Sequence, residues 1–273
     1  MTAWNSLRST FVSAVHHPRL WLLQFLGNIV IALLFVAWLR IDVANGWQVF
    51  LNFFVGLLVI VAPLLLHGAT LNYCSDAATD NDKTAALVPA LKKAIRHAPA
   101  FAIAVGIFYL VLHFVDKLDN YQYAFPGYLR SEFPAWLRRH VTEHAMDNLY
   151  GGFVGLLRWV VVPGLLLPLW LLSADLGFRG FLQVRNWWRS LRNLSYWIVM
   201  ILAVLIGVYC TSKLMGWTLH PAGSAVTREG IWLAFRLLIA YLLALFSWLW
   251  VCYALARAPL RPEPPAAEQK AAA

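Results

Sequence analysis

Two arginines interrupt segments that are otherwise continuously apolar. Arg158 sits in Gly151-Gly-Phe-Val-Gly-Leu-Leu-Arg158-Trp-Val-Val-Val-Pro163, which runs on to Leu172, and Arg236 sits in Ile231-Trp-Leu-Ala-Phe-Arg236. A guanidinium stays charged and presents its donors as a planar fork, so two of them facing one another inside a helical bundle would suit a phosphate or carboxylate held by bidentate contacts. Counting about 1.5 Å per residue from Gly151 and Gly230 puts each about 10 Å below the outer end of its segment. A charge at the bilayer centre costs about 2.5–3.5 kcal/mol on insertion scales, and less when the long stem reaches back to the boundary. The alternative is therefore a pair of arginines that snorkel outward or are paired structurally. His113 and Asp116, near the outer end of the preceding apolar segment, are the internal counter-charges, with Glu143 and Asp147 further out. Arg158, Arg236, His113 and Asp116 make up the expected anion site.

His140-Val-Thr-Glu143-His144 has the spacing H-x-x-E-H. On one helix that places two histidines a turn apart as zinc ligands, with the glutamate as a base. Only the distant Glu229 offers a third ligand, and Arg138 and Arg139 next door oppose a cation. The competing reading is an interfacial helix starting at Pro134, with Leu137, Val141, Ala145 and Leu149 on its membrane face. The cysteines Cys74, Cys210 and Cys252 are widely separated and form no C-x-x-C, so neither a disulfide framework nor a metal knuckle is implied. The sequence contains no P-loop, G-x-S-x-G or D-x-D constellation and implies no cofactor.

The elements that must position these residues follow from composition. The chain is 61% hydrophobic and 13% charged, whereas soluble domains carry about 25% charged residues. The net charge of +9 sits mostly in short loops between apolar runs. It therefore points to membrane topology and anionic lipid, and away from nucleic acid. Six spans are expected, at about 20–39, 48–66, 100–115, 151–172, 196–210 and 231–253. Three amphipathic stretches precede the odd ones: residues 3–16 with Leu7, Phe11 and Val15 on one face, residues 87–97, and residues 181–193. A polar loop is expected over 74–83, a structured outer loop over 116–150 and a disordered tail over 258–273. Pro63, Pro163 and Pro168 should free carbonyls and kink their spans. Many of the fourteen tryptophans lie near span ends, as interfacial anchors do. The loops on the amino-terminal side hold thirteen Lys and Arg, and the opposite loops seven. By the positive-inside rule both termini face the cytoplasm, and the expected location is a bacterial inner membrane.

Overlaying the amphipathic stretches aligns Phe11, Leu91 and Trp187, then Val15, Ile95 and Leu191, then Trp21, Phe101 and Trp197. Phe54-Val-Gly-Leu-Leu-Val59 likewise matches Phe153-Val-Gly-Leu-Leu-Arg158. The expected architecture is an all-α integral membrane protein of three repeats, each an amphipathic helix followed by two spans. The repeats cover about 3–72, 83–174 and 180–256 within a domain of residues 1–257. A surface helix that ends in a His/Arg-Pro-type turn before an aromatic span start, used three times through six spans, resembles the bacterial six-span membrane domains of unknown function, some of which are attached to glycerophosphodiester phosphodiesterases. The soluble catalytic domain of those enzymes has no counterpart here, so the resemblance implies no catalytic residue. The Pro-x-Asp/Glu-x-x-Lys/Arg signature of mitochondrial carriers is absent from the span ends.

The functional expectation is a non-enzymatic membrane protein that handles or transports an amphiphilic or anionic small molecule, lipids among them. The second reading is a structural or assembly subunit that binds another membrane protein or a further copy of itself. The third is a zinc-dependent membrane hydrolase using His140, Glu143 and His144.

Overall fold

The structure, a computed structural model, describes residues 3–79, 85–122, 124–217 and 226–258. Among these every regular element is helical, and the tail after residue 258 lies outside the described residues. Six helices are long and apolar enough to cross a membrane: Pro18–Leu39, Gly46–Ala78, Leu87–Asp119, Glu143–Leu182, Leu194–Gly216 and Glu229–Arg257. Their number agrees with hydropathy, and they fit an integral membrane protein.

Helix α1 (Ala3–His16) is amphipathic and α2 (Pro18–Leu39) is the first span, with Pro18 in its first turn, where a missing N–H costs nothing. Helix α3 (Gly46–Thr79) runs straight through the start of the expected polar loop. It continues because its inward face stays apolar and covered: Cys74 and Ala77 are both buried. Helix α4 (Leu87–Asp119) also departs from expectation, since the amphipathic stretch and the third span form one helix that passes through Pro99.

The chain does break in the other two places, at His17 and at Arg192–Asn193, between α9 (Val184–Leu191) and α10 (Leu194–Val204). The aligned aromatic accounts for the difference. Trp21 Nε1 donates to the Ala14 carbonyl and Trp197 Nε1 to the Leu191 carbonyl, each at 2.7 Å, so each indole satisfies an acceptor at the end of the preceding helix. Phe101 has no N–H to offer, and there the helix is continuous.

The long outer connection folds as α5 (Ala124–Ser131) and α6 (Ala135–His140), followed by α7 (Glu143–Leu156). Pro134 precedes α6 instead of starting one long helix. Thr142 caps α7 by accepting from the Ala145 N–H at 3.2 Å. A π-helical turn, Leu157–Val161, joins α7 to α8 (Val162–Leu176), and a 3₁₀ turn, Gly177–Leu182, follows. A second π turn, Leu205–Cys210, leads from α10 into α11 (Thr211–Gly216), and α12 (Val226–Arg257) completes the described chain.

The helices pack tightly at one end. Leu20, Leu71, Phe101, Leu171, Tyr196, Leu249 and Tyr253 are buried together there. α1 lies on α12, with Trp250 Nε1 donating to Thr10 Oγ1 at 3.2 Å and Arg257 Nη2 to Ser13 Oγ at 2.7 Å. Cys74 and Cys252, far apart in sequence and read separately there, come together in this core as a hydrogen-bonded pair of free thiols. Gln24, fully buried, donates to Thr70 Oγ1, and Asn28 donates to Tyr241 Oη at 3.1 Å. α2, α3 and α12 are thereby tied by polar contacts inside the apolar layer. Toward the other end, side chains such as Leu33, Phe53, Ile60 and Leu237 are exposed.

Pro168 lies within α8 and cannot donate to the carbonyl of Gly164 four residues back. Tyr196 Oη donates to that carbonyl at 3.0 Å, a bond buried between α8 and α10. Tyr196→Phe should lower stability by about 1–3 kcal/mol, the usual cost of leaving a buried acceptor unpaired. In a Pro168→Ala background, where an N–H at position 168 is restored, the same change should cost clearly less. Unfolding of the four variants in detergent checks this, and equal losses in both backgrounds would count against the account.

Candidate functional site

Arg158 and Arg236 are held in two different ways. Asp116 and Asp119 stand three residues apart in the last turns of α4, on one helical face. Arg158 projects toward them from the π-helical turn. Its Nη2 lies 2.5 Å from Asp116 Oδ1 and 2.6 Å from Asp119 Oδ2. In that turn the Val162 N–H reaches back to the Leu157 carbonyl, and Pro163, which has no N–H, follows at once. The wide turn thus forms where the regular hydrogen-bond series is interrupted anyway, and such single π turns are frequent at functional sites.

Two further features hold the triad in place. Tyr150 Oη donates to the Leu118 carbonyl at 2.7 Å, fastening α7 to the end of α4. Val115, Val154 and Val162 form a small buried apolar cluster alongside. The polar side is open, with the side chains of Arg158, Asp116 and Asp119 at 31%, 54% and 40% exposure. Two carboxylates face one guanidinium, so the triad carries one excess negative charge. A site of this kind can hold a cation, or Arg158 can exchange a carboxylate for another anion.

Arg236 is arranged differently. It is buried, donates through Nη1 to the Met215 carbonyl at 3.0 Å and to the Trp217 carbonyl, and lies over the Trp232 ring. These carbonyls are at the carboxyl end of α11, where a cation meets both unpaired acceptors and the negative end of the helix dipole. No carboxylate pairs with it among the described residues. Arg158 and Arg236 share no hydrogen-bond or ion-pair partner among the described residues. His113 is exposed with its ring beside Phe114, and it forms no hydrogen bond among the described residues.

The H-x-x-E-H stretch is divided between two helices. His140 ends α6, Glu143 begins α7, and Val141 and Thr142 lie between. The histidines therefore do not stand one turn apart on a continuous helix. His140 Nδ1 hydrogen-bonds the Trp136 carbonyl at 2.7 Å, and Glu143 lies 4.0 Å from Arg130. Among the described residues no three His, Cys, Asp or Glu side chains converge as metal ligands.

Asp119 is the site residue that sequence reasoning passed over. The available signal was the D-x-x-D spacing with Asp116, which puts both carboxylates on the face that meets Arg158. No family model, curated protein or solved structure matches the chain.

Arg236→Lys keeps the charge but loses the planar guanidinium that lies over the Trp232 ring and sets its Nη1 against both carbonyls. It should destabilise the protein by about 1–3 kcal/mol, the range for stranding buried acceptors, whereas Asp116→Asn alone should cost less because Asp119 still holds Arg158. Thermal unfolding of both variants in detergent compares them.

Proposed function

We propose that this integral membrane protein binds or carries an amphiphilic or anionic small molecule, with Arg158 as its anion contact and Asp116 and Asp119 as the internal ligands exchanged for it. One observation carries the reading: a guanidinium within a span segment, in a π-helical turn, is held by two carboxylates on a face that is still open. An incoming phosphate or carboxylate can replace one aspartate while the other keeps Arg158 oriented, and the displaced carboxylate, already about half exposed, turns to water, so the guanidinium is never left unpaired. Arg236 serves indirectly by securing the end of α11.

The lysine and arginine distribution supports an orientation with both termini in the cytoplasm of a bacterial inner membrane. The matching indole bonds of Trp21 and Trp197 support a repeated helix-and-two-span unit, although the second unit lacks the break. A structural or assembly subunit is the second reading. It is favoured by Tyr128 and Trp136, both strongly exposed on the short outer helices.

Native mass spectrometry of the purified full chain separates these readings. The wild type should retain an anionic amphiphile, Arg158→Gln should lose it, and the double variant Asp116→Asn with Asp119→Asn should retain more of it, because the competing carboxylates are gone. Equal retention in all three would overturn the proposal, and a stoichiometric protein in place of a small molecule would establish the second reading.

A further inference from the structure

A second charged feature lies at the opposite end of α4. Arg96 and Asp116 are twenty residues apart on this helix, which is roughly 30 Å at 1.5 Å per residue and equals the thickness of a hydrocarbon core. No Lys, Arg, Asp or Glu occurs between them. Residues 87–97 are the amphipathic first turns of α4, which places Arg96 at the level of the lipid headgroups.

At that level the first turns of α4 and the 3₁₀ turn after α8 enclose a half-open cleft of about 180 Å³, lined by Arg96, His97, Pro99, Gly177, Phe178 and Arg179, among others. A water occupies about 30 Å³, so a phosphate group fits. The wall is built rigidly. His97 Nδ1 donates to the Ala174 carbonyl at 2.9 Å, joining the two elements. Gly177 has φ 64°, which favours glycine, and a Cβ there would lie 3.2 Å from His97 Cδ2. At Gly180 a Cβ would fall 2.4 Å from the Leu172 carbonyl oxygen. Glycines on both sides thus fix the short turn that presents Phe178 and Arg179.

The charge in the cleft is uncompensated. The carboxylate beside it, Asp175, is taken by Lys93, which also lies 3.8 Å from Asp76. Neither Arg96 nor Arg179 forms an ion pair or a hydrogen bond among the described residues. Next to this double positive charge the same turn exposes apolar side chains, Phe178 at 61% and Leu182 at 84%. Two free guanidiniums beside an exposed apolar edge at headgroup depth match a phosphate attached to an acyl chain.

We propose that Arg96 and Arg179 form a phosphate-binding cleft at the membrane boundary opposite the Arg158 triad, which takes the phosphate of an anionic phospholipid or of a soluble phosphate. The site is independent of Arg158, so its test neither needs nor decides the function proposed above.

The experiment is native mass spectrometry of the delipidated full chain, titrated in parallel with phosphatidylglycerol, with a phosphate-free diacyl glycolipid of the same chain length, and with inorganic phosphate. All proteins carry Arg158→Gln, so that the triad contributes no binding, and are otherwise wild type, Arg96→Gln, Arg179→Gln, the double variant, and Arg185→Gln as an exposed charge-removal control on α9. Melting midpoints confirm folding, which both exposed arginines should leave intact. The expected result is preferential phosphatidylglycerol binding over the glycolipid by the otherwise wild-type protein and Arg185→Gln. It should fall several-fold in each single variant and at least tenfold in the double variant. Loss of inorganic phosphate binding with unchanged lipid binding assigns the cleft to soluble phosphate. Unchanged binding of both probes in the double variant, or an equal loss in Arg185→Gln, overturns the proposal.

Discussion

Backbone polar groups have no water to turn to inside hydrocarbon, and the arrangement of this protein depends on how each interruption in its helices is made good. Pro168 leaves the Gly164 carbonyl without its usual donor, and Tyr196 from α10 supplies one. The neighbouring Leu165 carbonyl accepts from Trp187 Nε1 at 2.8 Å. Where α1 and α9 end, the indoles of Trp21 and Trp197 close the gap. These bonds decide which helix lies against which, because each donor comes from an element that must then stay within reach. Tyrosine and tryptophan suit the task because an apolar ring carries one polar handle.

The same constraint shapes the charged triad. Pro163 interrupts the fourth span, and the helix widens into a π turn just before it. Arg158 sits in that turn and meets Asp116 and Asp119 at the end of α4. The charge is thus compensated from within the protein, in a span where an isolated guanidinium is costly. Arg236 solves the same problem with carbonyls at the end of α11, so two arginines that look alike in sequence have different chemical surroundings. Only the first has side-chain partners that another anion can replace.

Packing is uneven along the bundle normal. At one end, aromatic and polar contacts fasten α1, α2, α3 and α12 together, including the stacked rings of His17 and Tyr253 and the buried Gln24–Thr70 bond. At the other end the connection between α4 and α7 folds into short helices around the triad. The larger buried cluster lies where α1 meets α12, and the smaller one lies beside the triad.

Hydropathy and length determined that the chain is helical and has six segments able to cross a bilayer, since about twenty apolar residues in succession leave few other ways to satisfy the backbone. The sequence also marked Arg158 and Arg236 as residues needing an explanation, because a charge in such a segment is expensive wherever it points, and it offered Asp116 as a counter-charge. It did not show that α4 runs unbroken through Pro99, that H-x-x-E-H is split by a helix break, or that Cys74 meets Cys252. Those outcomes depend on neighbours distant in the chain. Hydropathy ends the third span at about residue 115, and nothing local revealed that the helix runs on to Asp119 with both carboxylates on the face that meets Arg158. Only tertiary structure decided the partners of each charge, because an ion pair between α4 and the fourth span is set by how helices pack across the bundle, and local sequence carries no record of that distance.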